Sequence, residues 1–127
     1  MTKKSKLLDQ LPDALDVGWT SFKFIVKANL LRGSQKCYGI TDFNLNTITI
    51  EKSLSDDVAH ATIIHEVCHA FMETFGLGGD HEGEEDKLTT SNEYLTEATC
   101  RSFLMFKNLN PKLWDILFVD YYKEKTK

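Results

Sequence analysis

Residues 61–76 read ATIIHEVCHAFMETFG, and this stretch decides how the rest of the chain can fold. Its apolar residues recur at helical spacing, and nothing that breaks a helix occurs before its final glycine. Upstream, Ser53 or Ser55 offers an N-cap, followed by two aspartates where the helix dipole favours negative charge. The sequence therefore predicts a long central helix that ends near Phe75, where a glycine-rich run stops it.

Strand-like segments precede this helix. Residues 19–28 are rich in aromatic and β-branched side chains, and residues 36–43 and 46–52 form two shorter runs of the same kind. A short polar turn joins the last two, so they are expected to pair as a hairpin. The alternation of Ile48 and Ile50 with threonines predicts a strand with one buried face.

Further helices are predicted towards both ends. The leucines of residues 6–15 have helical spacing, with an interruption at Pro12. Residues 78–91 are polar and glycine-rich, which is typical of a loop. A helix is expected over residues 91–107, and a last one begins with Pro111 at its first position.

The predicted order is helix, three strands and three helices, which indicates an α+β domain. A small antiparallel three-stranded sheet is expected to pack on the central helix and on further C-terminal helices. A chain of 127 residues can bury one substantial core, so residues 1–127 are expected to form a single domain.

Composition excludes several classes of protein. No apolar run approaches the roughly 18–20 residues that a membrane span needs, and the first residues lack the apolar segment of a secretory signal. We therefore expect no membrane partner and a cytoplasmic location. The net charge of −4 disfavours a nucleic-acid-binding surface. Three cysteines without a C-x-x-C pair predict reduced, mostly buried thiols, Cys68 among them. The oligomeric state stays open.

The central helix carries an H-E-x-x-H motif. His65 and His69 are four residues apart, so they lie on one helix face and can direct two imidazoles at one ion. Neutral imidazole suits zinc. Glu66 lies beside the first histidine, where its carboxylate can take a proton from water without binding the metal.

Two histidines do not complete a zinc site, because a catalytic zinc usually has three protein ligands. Three candidates follow in the sequence: His81 in the polar loop, and Glu93 and Glu97 on the next helix. The two glutamates share a helical stripe with Cys100 and Leu104. If that stripe faces the core, its carboxylates need a cation or a donor, such as the metal and a ligand's free N–H. The alternative is that the stripe is exposed.

The H-E-x-x-H motif, followed on a second helix by N-E-x-x-x-E, resembles the gluzincin metallopeptidases. The resemblance implies that zinc is held by His65, His69 and Glu93. It also implies that Glu66 is the general base. Glu97 becomes an outer partner of the first histidine, at a position where aspartate is more usual.

The small size and the order of elements over residues 38–118 look like the minimal gluzincins, which include the ImmA/IrrE-like peptidases and compact phage-encoded relatives. Thr62 and Ala70 match their T-x-x-H-E-x-x-H-A core. H-E-x-C-H-A also resembles the DNA-associated SprT-type proteases, and that resemblance implies His81 as the third ligand. A third alternative is a zinc-binding regulatory or inhibitor module of a phage or mobile element, without turnover.

The sequence therefore predicts a zinc metallopeptidase, with Zn²⁺ as its cofactor and a peptide or protein as its substrate. A donor must also stabilise the oxyanion, and the candidates are His81, Tyr94 and Tyr38. The strand at residues 46–52 is expected to offer an edge to an extended peptide.

Overall fold

The computed structural model describes residues 7–74 and 92–125, and of residues 74, 92–97, 124 and 125 it describes the backbone alone. The strands are β1 (Ala14–Asp16), β2 (Ser21–Lys27), β3 (Leu31–Arg32), β4 (Gln35–Lys36), β5 (Gly39–Asp42) and β6 (Thr47–Glu51). The helical segments are a 3-10 turn (Leu7–Gln10), α1 (Asp56–Thr74), α2 (Asn92–Leu109), α3 (Pro111–Asp115), a π-helical segment (Ile116–Asp120) and α4 (Tyr121–Lys125). The described chain is thus a mixed α and β structure.

The main sheet has four strands in the order β1-β2-β6-β5. β1 pairs antiparallel with β2, and β5 pairs antiparallel with β6, whereas β2 and β6 run parallel. The expected three-stranded antiparallel sheet is therefore wrong in its strand number and direction, although the hairpin of β5 and β6 is confirmed. The long connection from β2 to β6 allows the parallel pairing, and it also holds the separate two-stranded ribbon of β3 and β4.

The first expected helix, over residues 6–15, is wrong. A single 3-10 turn is followed by β1, in which exposed residues alternate with buried ones. Leu15 and Val17 are fully buried and point to the same side of the strand. Pro12 cannot donate a helical hydrogen bond, so the chain leaves the helical turn after Gln10. Leu7 and Leu8 are buried from the 3-10 turn, whereas Leu15 reaches the core from β1.

Helix α1 begins where the sequence predicts. The Ser55 hydroxyl accepts the N–H of Val58 at 3.4 Å, so Ser55 is the capping residue and Ser53 is not. The helix is described as far as Thr74, and its expected end near Phe75 lies outside the described residues.

One face of α1 covers the inner face of the sheet. The helix contributes small and large apolar side chains at positions 59, 63, 67, 70 and 71, which is the spacing of a single helical face. They pack with side chains of β2 and β6, which are Phe22, Phe24, Ile48 and Ile50. This packing fixes the rotation of α1 and thereby turns its other faces towards β5 and solvent.

The C-terminal helices are attached to α1 through His60, which is 8% exposed. Its Nε2–H donates to the main-chain oxygen of Leu117 at 2.7 Å, and its ring stacks on Tyr121 with centroids 3.7 Å apart. The π-helical segment makes this possible. The N–H of Tyr121 bonds to the oxygen of Ile116 and not to that of Leu117, which is left to accept from His60.

Candidate metal centre

His65 and His69 are brought together on the exposed side of α1. Their Nε2 atoms are 3.1 Å apart and their ring centroids 4.7 Å apart. Both side chains are exposed, and among the described residues each has the other as its hydrogen-bond partner. The Nε2 atoms of the two predicted ligands therefore face the same point at the protein surface.

This pair fits a zinc ion. Bonds of about 2.0–2.1 Å to zinc in tetrahedral geometry separate two ligand nitrogens by about 3.3 Å, close to the spacing of these atoms. Both imidazoles remain accessible, so an ion can reach them without rearrangement of α1.

The third ligand is not located by the described side chains. Among them, no three histidine, cysteine or acidic residues come close enough to hold a metal. Glu93 and Glu97 lie in α2 with only their backbone described, and His81 lies outside the described residues. The choice among these three stays a prediction.

The stripe that Glu93 and Glu97 share with Cys100 and Leu104 is exposed at both of its described side chains. The face of α2 that packs against α1 is a different one, and it contains buried Ala98 and Phe106. Of the two alternatives for this stripe, a core-facing one and an exposed one, Cys100 and Leu104 show the exposed one. Support for Glu93 rests on the family pattern and not on a burial argument.

Glu66 is held in a defined position beside the two histidines. It is 7% exposed, and its Oε1 accepts a hydrogen bond from the Thr41 hydroxyl at 2.6 Å. Thr41 Oγ1 also lies 3.2 Å from the main-chain oxygen of Glu66, so β5 is fixed to α1 at this residue. Among the described residues no donor bonds to Oε2, which leaves that oxygen available to a proton.

Gly39 allows β5 to approach the Glu66 side chain closely. A Cβ at position 39 would lie 2.9 Å from both Glu66 Cγ and Thr62 Cγ2, and 3.1 Å from Glu66 Oε2. Such separations are shorter than van der Waals contact, so any larger residue would displace the carboxylate. Glycine within a strand often marks a close approach of the backbone to another group. The sequence thus contains a signal for Gly39, which lies outside the H-E-x-x-H motif.

Two clefts meet at the motif. The larger, about 760 Å³, lies between the β3–β4 ribbon, β5 and α1, and it includes both histidines. The smaller, about 520 Å³, lies between Tyr38 and the first turns of α1. Gly39, His65 and Glu66 line both, so the two clefts form one groove along β5.

β5 is the strand that borders this groove, and it is an edge strand of the main sheet. The strand at residues 46–52, expected to provide the edge, contains β6, which lies between β2 and β5. That expectation is wrong, because β6 uses its two sides for the parallel and the antiparallel pairing. The available edge is the neighbouring strand.

Of the three candidate oxyanion donors, Tyr38 is the one with a described side chain. It is 61% exposed and lines the smaller cleft with His65 and Glu66. The side chain of Tyr94 is not described, and His81 lies outside the described residues. Tyr38 therefore has the position that such a role requires.

The cysteines differ from expectation. Cys68 and Cys100 are exposed and Cys37 is half-buried, all three as free thiols, so mostly buried thiols were the wrong prediction. Cys68 lines a small apolar pocket with Phe71 and Phe103, away from the two histidines. Partial burial raises the pKa of the Cys68 thiol, because it disfavours the charged thiolate. The sulfur therefore stays protonated and is disfavoured as a metal ligand.

One further carboxylate lies near the histidines along the helix. Glu73 follows His69 by one turn, and its Oε2 is buried without a hydrogen-bond partner among the described residues. A buried carboxylate oxygen is costly unless a donor or a cation meets it. Among the described residues Glu73 lines neither cleft, so this atom is not assigned to the groove.

Comparison of the chain with protein-family models, with curated proteins and with solved structures found no match. In the part of the chain that the structure describes, no helix is both long and apolar enough to cross a membrane. A functional assignment therefore has to be argued from the groove itself.

Proposed function

We propose that the chain is a zinc-dependent metallopeptidase of the gluzincin kind, in which His65, His69 and Glu93 hold the metal and Glu66 is the general base. One observation carries the proposal. Two imidazole nitrogens converge at 3.1 Å beside a carboxylate that is itself buried and bonded by Thr41. A zinc site without turnover has no need of that carboxylate.

The groove also suits an extended peptide. β5 has an unpaired side among the described residues, and its main-chain groups can bond to a peptide laid along it. A peptide in this position passes His65 and Glu66, because both line the two clefts that form the groove. Its scissile carbonyl would thus lie within reach of both groups.

Three described side chains of the groove then have defined roles in the reaction. When bound, zinc would supply Lewis-acid polarisation of the carbonyl and would make a neighbouring water more acidic. Glu66 takes the proton of the attacking water on Oε2 and passes it to the leaving amine. Thr41 holds the other oxygen of the carboxylate, and Tyr38 is available to donate to the oxyanion.

The test is metal analysis combined with hydrolysis of fluorescein-labelled casein. We expect about one zinc per chain in the wild-type protein and in Glu66→Gln. The rate of casein hydrolysis should fall by about a hundredfold or more in Glu66→Gln. Glu66→Asp is the matched control, since it keeps the charge and should keep partial activity. Hydrolysis that survives Glu66→Gln would contradict the mechanism.

The third ligand is tested by the same metal analysis. Glu93→Ala should weaken zinc binding strongly, while His81→Ala and Glu97→Ala should retain the metal, Glu97→Ala with a smaller loss of affinity. Full zinc in Glu93→Ala with loss in His81→Ala would favour the SprT-type alternative, and casein hydrolysis should then rise on addition of single-stranded DNA. Zinc binding without any hydrolysis would favour the regulatory module.

A further inference from the structure

The β3–β4 ribbon forms one wall of the larger cleft. Arg32 pairs directly with Gln35 across the two strands, so the two side chains lie on one face of the ribbon. Both residues line the cleft that contains the two histidines, whereas Leu31, on the other face, does not. The face with the guanidinium and the amide is therefore the one turned towards the cleft.

The lining of this cleft is rich in positive charge. Lys36 also lines the cleft and adds a second cation, although it pairs with Leu31 and its side chain therefore belongs to the opposite face of the ribbon from Arg32. Arg32 and Lys36 are exposed, and within residues 7–74 and 92–125 the structure gives neither an ion-pair partner. Among the residues whose side chains are described, Glu66 is the single carboxylate of the lining, in a chain whose net charge is −4. The cleft thus concentrates positive charge against the overall balance of the protein.

The chemistry of this wall selects a carboxylate. The planar guanidinium of arginine presents a fork of donors that matches a carboxylate, and the amide of Gln35 can donate beside it. A lysine or arginine of a substrate would meet like charge in the same place. The cleft also focuses the electric field of Arg32 and Lys36. Acidic substrates should therefore be attracted to it, and basic substrates repelled, before they bind.

We infer that the larger cleft selects substrate segments with an aspartate or glutamate beside the scissile bond, bound by Arg32 and Gln35. The inference rests on the proposed peptidase function, since it takes this groove as the place where the peptide lies.

The selection is one-sided. The smaller cleft, on the other side of His65, is lined by Tyr38, Val58 and Asp57, and the described part of the chain places no cation in its lining. An acidic side chain on that side would meet a like charge. The acid should therefore occur on one side of the cut and be absent from the other.

The first test is cleavage of a peptide library with all residues randomised at the positions around the cut, with products sequenced by mass spectrometry. The wild-type protein should enrich aspartate and glutamate on one side of the cut by about tenfold over glutamine. Arg32→Glu should reverse the preference towards lysine and arginine, and Arg32→Lys should preserve part of it. Lys23→Glu is the matched control, because Lys23 is an exposed cation on β2 outside both clefts, and it should leave the preference unchanged.

The second test does not need turnover. Binding of fluorescein-labelled hexaglutamate and hexaglutamine is measured by anisotropy on zinc-loaded Glu66→Gln. Hexaglutamate should bind about tenfold more tightly, with a difference that falls as salt is added and disappears in the Arg32→Glu, Glu66→Gln double variant. If the library is uncut and hexaglutamate is still bound through Arg32, the peptidase proposal fails and acid recognition stands.

Two results would overturn the inference while leaving the peptidase function intact. One is efficient cleavage with equal use of glutamate and glutamine. The other is stimulation by single-stranded DNA that is lost in Arg32→Glu while the peptide preference is unchanged, which would assign the two cations to phosphate groups.

Discussion

Helix α1 has histidines in two different environments. His60 is buried, donates to a main-chain oxygen and stacks on Tyr121. His65 and His69 are exposed, and their Nε2 atoms face each other at the edge of a groove. All three are histidines of one helix, so the difference comes from the surrounding chain. In the part that the structure describes, it provides a hydrogen-bond acceptor and burial for His60, and neither for His65 and His69.

This difference separates a structural histidine from a ligand. The nitrogen of His60 is already bonded, and a metal could bind there only if the C-terminal helices moved away from α1. The nitrogens of His65 and His69 contact each other and leave room for an ion. Four predictions test this contrast, and they follow in order of expected size.

Zinc affinity should distinguish the two environments most strongly. We expect His69→Ala to weaken zinc binding by more than about a hundredfold, because loss of a direct ligand exceeds the loss of an outer partner. His60→Ala should keep the affinity of the wild-type protein. Competition with a chromophoric chelator measures both. An equal loss in the two variants would mean that the exposed pair is not the zinc site.

Stability should show the reverse order. His60→Ala removes a hydrogen bond to a buried carbonyl and an aromatic stack, so the free energy of unfolding of the zinc-free protein should fall by about 2–4 kcal/mol. His65→Ala and His69→Ala should change it by less than about 0.5 kcal/mol, as is usual for exposed side chains. Urea denaturation followed by circular dichroism gives these values. A stable His60→Ala variant would refute the structural role.

Activity should depend on the close approach of β5 to the exposed side of α1. In Gly39→Ala the added Cβ must displace the Glu66 side chain, and we expect casein hydrolysis to fall by about ten- to a hundredfold with zinc retained. Retention of the metal separates this effect from loss of ligands. Unchanged hydrolysis would show that Glu66 does not have to occupy its observed position.

The attachment of the β3–β4 ribbon, which forms a wall of the larger cleft, should respond to acid. The N–H of Leu30, just before β3, donates to the Glu51 carboxylate, and Ser53 adds two further donors. These bonds lower the pKa of Glu51 from 4.5 to about 2. Because the folded pKa is the lower one, the stabilisation is complete above pH 4.5 and is lost as the pH falls towards 2.

Glu51→Gln should accordingly have a lower urea midpoint than the wild-type protein at pH 7, by a small amount. The gap should narrow between pH 4.5 and pH 2. The Lys52→Gln variant, next to it in the turn, is the control and should show no such dependence. A gap that is constant over this range would mean that the charge of Glu51 is not what holds the ribbon.

Part of the fold follows from local pattern and part does not. Helix α1 was predictable because its cap and its apolar spacing are encoded locally. The hairpin of β5 and β6 was predictable because its two strands are joined by a short turn. The strand β1 was missed, because the leucines at positions 7, 11 and 15 have helical spacing and three residues are too few to show the alternation of a strand. The parallel pairing of β2 with β6 joins residues far apart in sequence, which no local pattern encodes.

The site divides in the same way. His65, Glu66 and His69 were identified because their spacing within one helix already defines a geometry. Thr41 and Gly39 act on Glu66 from another element, so their roles depend on the packing of β5 against α1. The exposed thiols were mispredicted because burial of a small residue depends on which face of a helix is covered, as Cys68 illustrates.

The open side of β5 has a consequence for the protein at high concentration. A strand edge that can receive a peptide can also receive the same edge of a second copy, and such pairing leads to self-association. Two copies meeting through this edge would also bring their grooves, with the cations that line them, close together. Their repulsion weakens as salt is added, so the protein should stay dispersed best at low ionic strength.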